Sequence, residues 1–353
     1  MPPSTHIGHA FHSSGLNISL PSHLYVIGHA SSLLSPAAND QALQEAVQVT
    51  LDEGQETTEP TNDTHSLIID LAQACGSHKE IKQQARAARN AQLESHANAC
   101  LKQGTWLESL ALMDKDVSWK SMLSGLSEPS YLFALKSLVD ALPTNSNLLL
   151  WKKVSSDVCL SCGSSKQTLL HVLNNCSSKL SLYTWRHNNV LFHIKGVLDS
   201  HVTDCDILCD IHVENGLLLD EKVRTIPCDI YATTLRPDIA IINRAMKKIS
   251  ILELTIPFET NILKAQERQA AKYAPLVAGL QEGGYTCSFF SIEIGSRGIA
   301  AHGTGKSIRS LCGASYRESR DIVKRLCQIS LKCSYLIFQE RDNHGANFNM
   351  ILS

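Results

Sequence analysis

The chain has 353 residues and a formal net charge of −2, with 43% hydrophobic, 19% charged and 6% aromatic residues. This composition can bury a core and excludes a chain that is disordered throughout, and the length allows two or three domains. No run approaches the roughly 18 apolar residues of a membrane-spanning helix, and the first residues lack the pattern of a secretory signal. We therefore expect a nuclear or cytoplasmic protein, neither secreted nor membrane-bound, whose 12 cysteines stay reduced.

Charge is distributed unevenly along the chain. Residues 1–100 carry 4 basic and 10 acidic side chains, residues 101–220 carry 10 and 12, and residues 221–353 carry 18 and 12. A basic C-terminal third is what a phosphate-binding surface requires, although an ordinary solvated surface explains the bias equally well.

The first half of the chain shows no catalytic motif. Residues 1–64 are rich in Ser, Thr, Asn, Pro and His and lack apolar periodicity, which predicts a disordered tail. Residues 65–155 predict a helical linker, with helices over 81–101, 117–126 and 131–142.

The second half predicts an α/β fold. Residues 156–200 contain a Cys/His cluster followed by a helix, and residues 201–340 alternate between strands and helices, as expected for a mixed sheet flanked by helices. Residues 341–353 are assigned to a C-terminal tail. Within the α/β region the predicted elements are an antiparallel hairpin of 236–242 and 249–257, a helix over 261–280, a strand over 287–294 and one or two helices over 316–338.

Four side chains that bind metals lie within 18 residues in the order C-x2-C-x8-H-x4-C, namely Cys159, Cys162, His171 and Cys176. Gly163 follows the second cysteine, where a tight knuckle needs a positive φ. Three thiolates and an imidazole can close a tetrahedron around Zn²⁺, and a site with four protein ligands is structural because no position stays open for water. Chance spacing is the alternative, and Cys205 and Cys209 are assigned to the core.

A second constellation is acidic. Asp238 begins the first hairpin strand and Glu253 lies in the second, so a short turn brings the two carboxylates side by side. Mg²⁺ or Mn²⁺ prefers such oxygen ligands, and a water on the metal can attack a phosphate. The layout resembles that of PD-(D/E)xK nucleases, and Glu259 is a candidate third ligand.

The lysine of that nuclease pattern is displaced. Thr255 stands two residues after Glu253, on the same face of the strand, where the pattern has Lys. The helix that follows carries three cations spaced four residues apart, Lys264, Arg268 and Lys272, which lie on one face of the helix. We expect Lys272 to be the catalytic cation, with Lys264 as second choice. The alternative is that these acids and cations are ordinary turn, strand and surface residues.

The order of the motifs resembles the C-terminal part of non-LTR retrotransposon polyproteins that use a restriction-like endonuclease. The resemblance covers roughly residues 100–340, and no polymerase motif such as Tyr-x-Asp-Asp is present. The segments that carry it are Asp140-Ala141-Leu142-Pro143-Thr144-Asn145, Trp151, the Cys/His cluster, Leu235-Arg236-Pro237-Asp238, Glu253, Pro257, Glu259 and Lys272-Tyr273.

The resemblance implies a DNA-nicking endonuclease. Asp238 and Glu253 match the metal-binding pair of that family, Lys272 matches its displaced lysine, and the Cys/His cluster matches its zinc knuckle. DNA is the expected partner and RNA the second candidate, with no membrane and no small-molecule substrate. The alternatives are an inactive remnant that binds nucleic acid, or a zinc-stabilised protein-interaction scaffold. The basic residues expected to hold the DNA backbone are Lys247, Lys248, Arg268, Lys324 and Arg325.

Overall fold

The computed structural model describes residues 26–27, 30–31, 63–99, 109, 112–114, 117, 119–214, 216–219, 225–343 and 348–352. The chain divides into two compact units, Met1–Leu107 and Glu108–Ser353, each with a hydrophobic cluster of its own. The boundary falls inside the region predicted as a helical linker, so that region is not one structural segment. None of the described helices is both long enough and apolar enough to cross a membrane.

The first unit contains helices α1 (Asp63–Ala74) and α2 (His78–Ala99), and α2 confirms the helix predicted over 81–101. Part of the predicted tail packs against these helices. A disordered tail over 1–64 is therefore wrong for this short stretch, because its apolar side chains find a buried partner surface; most of the tail lies outside the described residues. The buried cluster consists of Val26, Ile27, Ala30, Leu71, Cys75, Ile81 and Ala85.

Three short helices open the second unit. They are α3 (Trp119–Leu123), α4 (Glu128–Leu138) and α5 (Asn145–Leu150). Pro129 lies in the first turn of α4, where its missing amide proton costs no hydrogen bond. The Thr144 hydroxyl caps α5 by accepting a hydrogen bond from the Asn147 amide at 3.3 Å. The helices predicted over 117–126 and 131–142 are confirmed with shifted ends.

Within the described residues of this unit, the strands form a four-stranded sheet in the order β1-β4-β5-β6 and a separate ribbon of β2 and β3. The sheet is mixed, since β4 is antiparallel to β1 and β5 while β5 is parallel to β6. The antiparallel pair of β4 and β5 confirms the predicted hairpin. The strands are β1 (Asp206–Cys209), β2 (His212–Glu214), β3 (Leu217–Leu219), β4 (Ile239–Asn243), β5 (Lys248–Thr255) and β6 (Thr286–Glu293).

Helices cover both faces of this sheet. A parallel pair of strands needs a crossover, and α7 supplies it between β5 and β6. Tyr273 and Leu276 of α7 pack against Ile249 and Ile251 of β5. Leu252 and Leu254, which point to the opposite face of β5, are buried as well. Helix α6 contacts both β5 and α9. The predicted α/β class with a mixed sheet flanked by helices is thus confirmed. The remaining helices are α6 (Leu180–His201), α7 (Ile262–Glu282), α8 (Thr304–Cys312) and α9 (Tyr316–Gln339).

The segment predicted as a C-terminal tail is packed where it is described. Met350 bridges to Leu217, and its carbonyl accepts a hydrogen bond from Trp185 Nε1 at 2.8 Å. The Leu352 amide donates to Asn189 Oδ1 at 2.7 Å. Residues 348–352 are therefore held on α6 by hydrogen bonds, which corrects the prediction of a tail over 341–353.

Candidate metal centre and acidic site

The four residues of the Cys/His cluster come together as predicted. Their ligand atoms all lie within 4.8 Å of one another; Cys159 Sγ is 3.9 Å from Cys176 Sγ, and Cys162 Sγ is 3.4 Å from His171 Nε2. Metal–sulfur bonds of about 2.3 Å and a metal–nitrogen bond of about 2.0 Å give a tetrahedron with edges of about 3.8 Å between sulfurs and about 3.5 Å between sulfur and nitrogen. The cluster can hold a metal ion, and its spacing is compatible with zinc.

Local backbone geometry explains this convergence. Gly163 has φ of 69°, as predicted, and its amide donates to the Cys159 carbonyl at 2.8 Å to close the knuckle. His171–Asn175 forms a π-helical turn, which brings positions five residues apart onto one side. That turn joins His171 to Cys176. As expected, neither Cys205 nor Cys209 belongs to the cluster, and Cys209 is buried.

Hydrogen bonds prepare one thiol for metal binding. The Ser164 amide and the Ser164 hydroxyl, which is 3.5 Å from Cys162 Sγ, lower the pKa of Cys162 to about 6. Burial instead raises the pKa of Cys159. Thiolates are the form that binds metals, so a bound cation would stabilise the deprotonated state of both.

The knuckle docks on the C-terminal end of α9. Ser161 Oγ donates to the Arg341 carbonyl at 2.6 Å, and Gln167 Nε2 donates to Asp342 Oδ1 at 2.8 Å. Lys179, only 1% exposed, donates through Nζ to the Glu340 carbonyl at 2.7 Å. The predicted separation between a knuckle domain over 156–200 and an α/β domain over 201–340 is not found, because both lie in one compact unit.

The hairpin brings Asp238 and Glu253 together. Ile239 pairs with Leu252 in antiparallel register, so continuing the register by one residue places Asp238 opposite Glu253. Opposed residues of antiparallel strands point to the same face of the sheet, here the face that α7 covers. The side-by-side arrangement expected from the sequence is thus present in the backbone.

Asp238 has a partner that the sequence analysis missed. Its Oδ2 atom accepts a hydrogen bond from the Leu254 amide at 2.7 Å and lies 3.2 Å from His187 Nε2. The same Nε2 is 3.1 Å from the Leu254 carbonyl, and His187 Nδ1 is 3.1 Å from Asn188 Oδ1. All three of these neighbouring atoms are oxygens, which favour the protonated ring. Burial alone would lower the pKa of His187, but the charge of Asp238 and these hydrogen bonds raise it to about 9.

Glu253 contacts the lysine selected from the sequence. Lys272 Nζ donates to Glu253 Oε1 at 3.2 Å; the Glu253 side chain is 8% exposed and that of Lys272 43%. Burial, and then the negative charge of Asp238, raise the pKa of Glu253 to about 7. Lys272 therefore lies at the acidic pair, while Lys264 and Arg268 line a neighbouring cleft.

Three buried side-chain oxygen atoms of β5 and α7 have no hydrogen-bond partner among the described residues. They are Glu253 Oε2, Thr255 Oγ1 and Gln269 Oε1. The Tyr273 hydroxyl is close to Glu253 but donates its proton to the Arg236 carbonyl at 3.0 Å. An unpaired buried acceptor costs roughly 1–3 kcal/mol, a cost that a cation would offset.

Glu259 is engaged elsewhere. Its Oε2 accepts from Arg297 Nε at 2.6 Å and its Oε1 accepts from the Arg297 amide at 2.7 Å, and both side chains are almost fully buried. The structure therefore does not support Glu259 as a third metal ligand. Both of its oxygens are occupied in a buried ion pair that joins the start of α7 to the loop after β6.

A cleft of about 540 Å³ opens beside the acidic pair, between α6, the end of β5 and the first turns of α7. His187 and Leu254, which both contact Asp238, form one end of its wall. Thr255 lies in the same wall, one strand repeat beyond Glu253. Neither Asp238 nor Glu253 lines the cleft itself; its wall contains the two residues that contact Asp238.

The basic residues expected to form one DNA-binding surface are dispersed. Lys248 begins β5, at the opposite end of that strand from Glu253, and Lys247 lies in the preceding turn with φ of 47°. Lys324 and Arg325 lie on α9. Of the five candidates, Arg268 lines the cleft beside the acids. Sequence spacing could not reveal this because the five cations are spread over a turn, β5, α7 and α9.

No protein-family model matches the chain, and a search of curated proteins finds no match. What the chain does must therefore be inferred from its own geometry.

Proposed function

We propose that this protein is a retroelement-derived, divalent-metal-dependent DNA endonuclease that nicks DNA by hydrolysing a phosphodiester bond. Its α/β region would then be a restriction-endonuclease-like domain, acting in the nucleus where DNA is available. The observation that carries the proposal is the buried Glu253, which lies opposite Asp238 and 3.2 Å from the ammonium group of Lys272. Two neighbouring acids with one adjacent cation form a nuclease-like set, and the second Glu253 oxygen has no hydrogen-bond partner among the described residues.

Each residue has a role in this proposal. Asp238 and Glu253 would hold Mg²⁺ or Mn²⁺, which when bound neutralises phosphate charge and activates water. Lys272, half exposed at the edge of the site, would donate a hydrogen bond to the negatively charged phosphate oxygens. His187 would fix the orientation of the Asp238 carboxylate through its contact with Oδ2.

Zinc is the metal we propose for the Cys/His cluster. Three sulfurs and one nitrogen are soft ligands that select Zn²⁺ over Mg²⁺, and four protein ligands leave no open position. Zinc would therefore stabilise the knuckle and take no part in hydrolysis.

A second candidate is an inactive remnant that binds nucleic acid through the knuckle and basic surface without cutting. It is favoured by the contacts of Asp238, whose Oδ2 already accepts hydrogen bonds from the Leu254 amide and His187. Such contacts stabilise the hairpin without any metal. In that case the acidic pair would be structural.

Nicking of supercoiled plasmid separates the two candidates. The full chain should convert supercoiled plasmid to open circles with Mg²⁺ or Mn²⁺ and not with EDTA. Asp238→Ala and Glu253→Ala should each abolish nicking while DNA binding persists, because each removes a metal ligand and a negative charge near the phosphates. Glu282→Ala, a matched change of an exposed acid at the far end of α7, should nick normally. Wild-type protein that binds DNA but never nicks it under either metal would favour the remnant.

A further inference from the structure

The cleft beside the acidic pair is strongly cationic. Lys264 and Arg268 line it from α7, and both side chains are exposed. None of the residues that line it is acidic. Positive groups on a concave surface whose own wall holds no acidic residue focus potential and attract anions.

A buried arginine adds a charge at the same place. Arg186 lines the cleft from α6 and is 1% exposed; its Nη1 donates to Ser334 Oγ at 2.9 Å, but its buried Nε has no hydrogen-bond partner among the described residues. Glu259, whose charge acts on Arg186, is already ion-paired with Arg297. An arginine donor buried without an acceptor is an unsatisfied group that an anionic ligand would satisfy.

The N-terminal end of α7 completes this surface. Asn261, the N-cap residue, lines the cleft, and its side chain makes no capping hydrogen bond to the helix. The Ile262 amide already donates to the Glu259 carbonyl, so it is the dipole of this 21-residue helix that favours a negative group there. Together with Arg186, this end of α7 points to a phosphate group.

The size and the polar walls of the cleft limit what can enter. A volume of about 540 Å³ equals a cube about 8 Å on a side, whereas the major groove of a DNA duplex is by itself about 12 Å wide. Asn174 and Asn175 add amide groups to the wall; Asn174 Nδ2 donates to the Ile256 carbonyl at 2.8 Å, and Asn174 Oδ1 is buried without a partner. An unpaired nucleotide supplies both a phosphate and base donors for such groups.

We infer that this cleft binds a single unpaired strand of DNA, one nucleotide wide, through its phosphates. The strand would run from the cleft past His187 and Leu254 to the acidic pair. Strand binding in the cleft does not depend on the proposed nuclease activity; only the continuation of the strand toward the acidic pair rests on that proposed function. It predicts that the protein prefers a single-stranded or frayed segment next to the bond that is cut.

Binding of labelled oligonucleotides tests this inference without any cleavage. Fluorescence anisotropy of the full chain would be measured with no added divalent metal. The probe is a 5′-fluorescein oligothymidylate of about 12 nucleotides, a length within the usual range of single-strand binding sites. Its affinity would be compared with that of a blunt duplex of equal length. Lys264→Glu and Arg268→Glu should each weaken single-strand binding about tenfold, and the slope of log K against log salt should fall by about 0.7 per lost phosphate contact. Lys136→Glu is the matched control, an exposed lysine on α4 that does not line the cleft, and should change affinity less than about twofold in the same assay.

The outcomes separate this inference from the nuclease proposal. Equal weakening by the cleft variants and the control, or tighter binding of the duplex than of the strand by wild type, would overturn it. Strand binding that depends on Lys264 and Arg268 in a protein that never nicks supports the cleft and sinks the nuclease. If the protein nicks DNA but the Lys264 and Arg268 variants bind the single strand as well as wild type does, the nuclease proposal is supported and the cleft inference is rejected. Lys264 and Arg268 are exposed, so their variants test the inference without disturbing the buried Arg186.

Discussion

The Cys/His cluster and the acidic site differ in how they are built. The cluster takes its four ligands from 18 consecutive residues, and its turn geometry alone brings them together. The acidic site takes its residues from four separate elements. Asp238 lies at the start of β4, Glu253 in β5, Lys272 in α7 and His187 in α6. One site is a local motif, whereas the other exists only when a hairpin and two helices pack.

The two sites differ in the same way in chemical saturation. In the cluster the four ligand atoms lie within 4.8 Å of one another, so a metal bound by all four would have no open position. At the acidic site several buried oxygens remain unpaired and a cleft opens beside them. Under the proposed function, the local site would stabilise the fold and the site assembled from distant elements would act on DNA.

Loss of the knuckle metal should have the largest effect on the fold. Cys162→Ser should reduce bound zinc from one per chain to near zero and unfold residues around the knuckle, since structural zinc supplies folding free energy of about 10–16 kcal/mol in small zinc domains. Metal analysis and thermal unfolding measure this. If a Cys159→Ser/Cys162→Ser double variant still bound one zinc per chain, the cluster would not be the zinc site.

The buried ion pair of Glu259 tests whether that acid is structural. Glu259→Ala leaves Arg297 charged and buried, so the free energy of unfolding should fall by about 3–5 kcal/mol. Urea unfolding measures the loss, with Glu282→Ala as the exposed control. If Glu259→Ala is as stable as wild type but no longer binds a divalent metal, Glu259 is a metal ligand after all.

Lys272 should affect rate much more than stability, because it is half exposed. Lys272→Ala should lower the nicking rate by about 10²–10³, the usual effect of removing one preorganised donor, and Lys264→Ala should lower it less. The sharpest comparison adds Thr255→Lys to Lys272→Ala, which moves the cation onto the strand face of Glu253. Partial recovery of nicking would place both positions at one site, and equal rates in the lysine variants and wild type would deny Lys272 its role.

The raised pKa of Glu253 predicts a smaller effect of pH on stability. The folded carboxyl has a pKa of about 7, against about 4.3 when unfolded, so between these values the folded state binds more protons and its stability falls as pH rises. Without metal, Glu253→Gln should therefore exceed wild type in stability at pH 8 more than at pH 5. Urea unfolding at both pH values checks this, and a pH-independent difference would contradict the assigned burial.

Short-range features could be predicted from the sequence. The C-x2-C-x8-H-x4-C spacing and Gly163 identified the cluster, because four ligands within 18 residues need only one turn and one helix end to meet. The hairpin and α7 followed from β-branched runs and helical periodicity. The i, i+4, i+8 spacing put Lys272 on the right helix, but that spacing could not say which of three cations touches Glu253.

Tertiary packing decided the rest. His187 precedes Asp238 by 51 residues, and no local pattern links a histidine on α6 to a carboxylate at the start of β4. Glu259 looked like a third ligand because it follows β5, yet its pairing with Arg297 depends on the loop after β6. The sequence by itself determined the local elements and the Cys/His cluster, since these depend on neighbours along the chain. Only the folded structure determined which acids are free and where the cleft opens, because those depend on contacts between residues far apart in sequence.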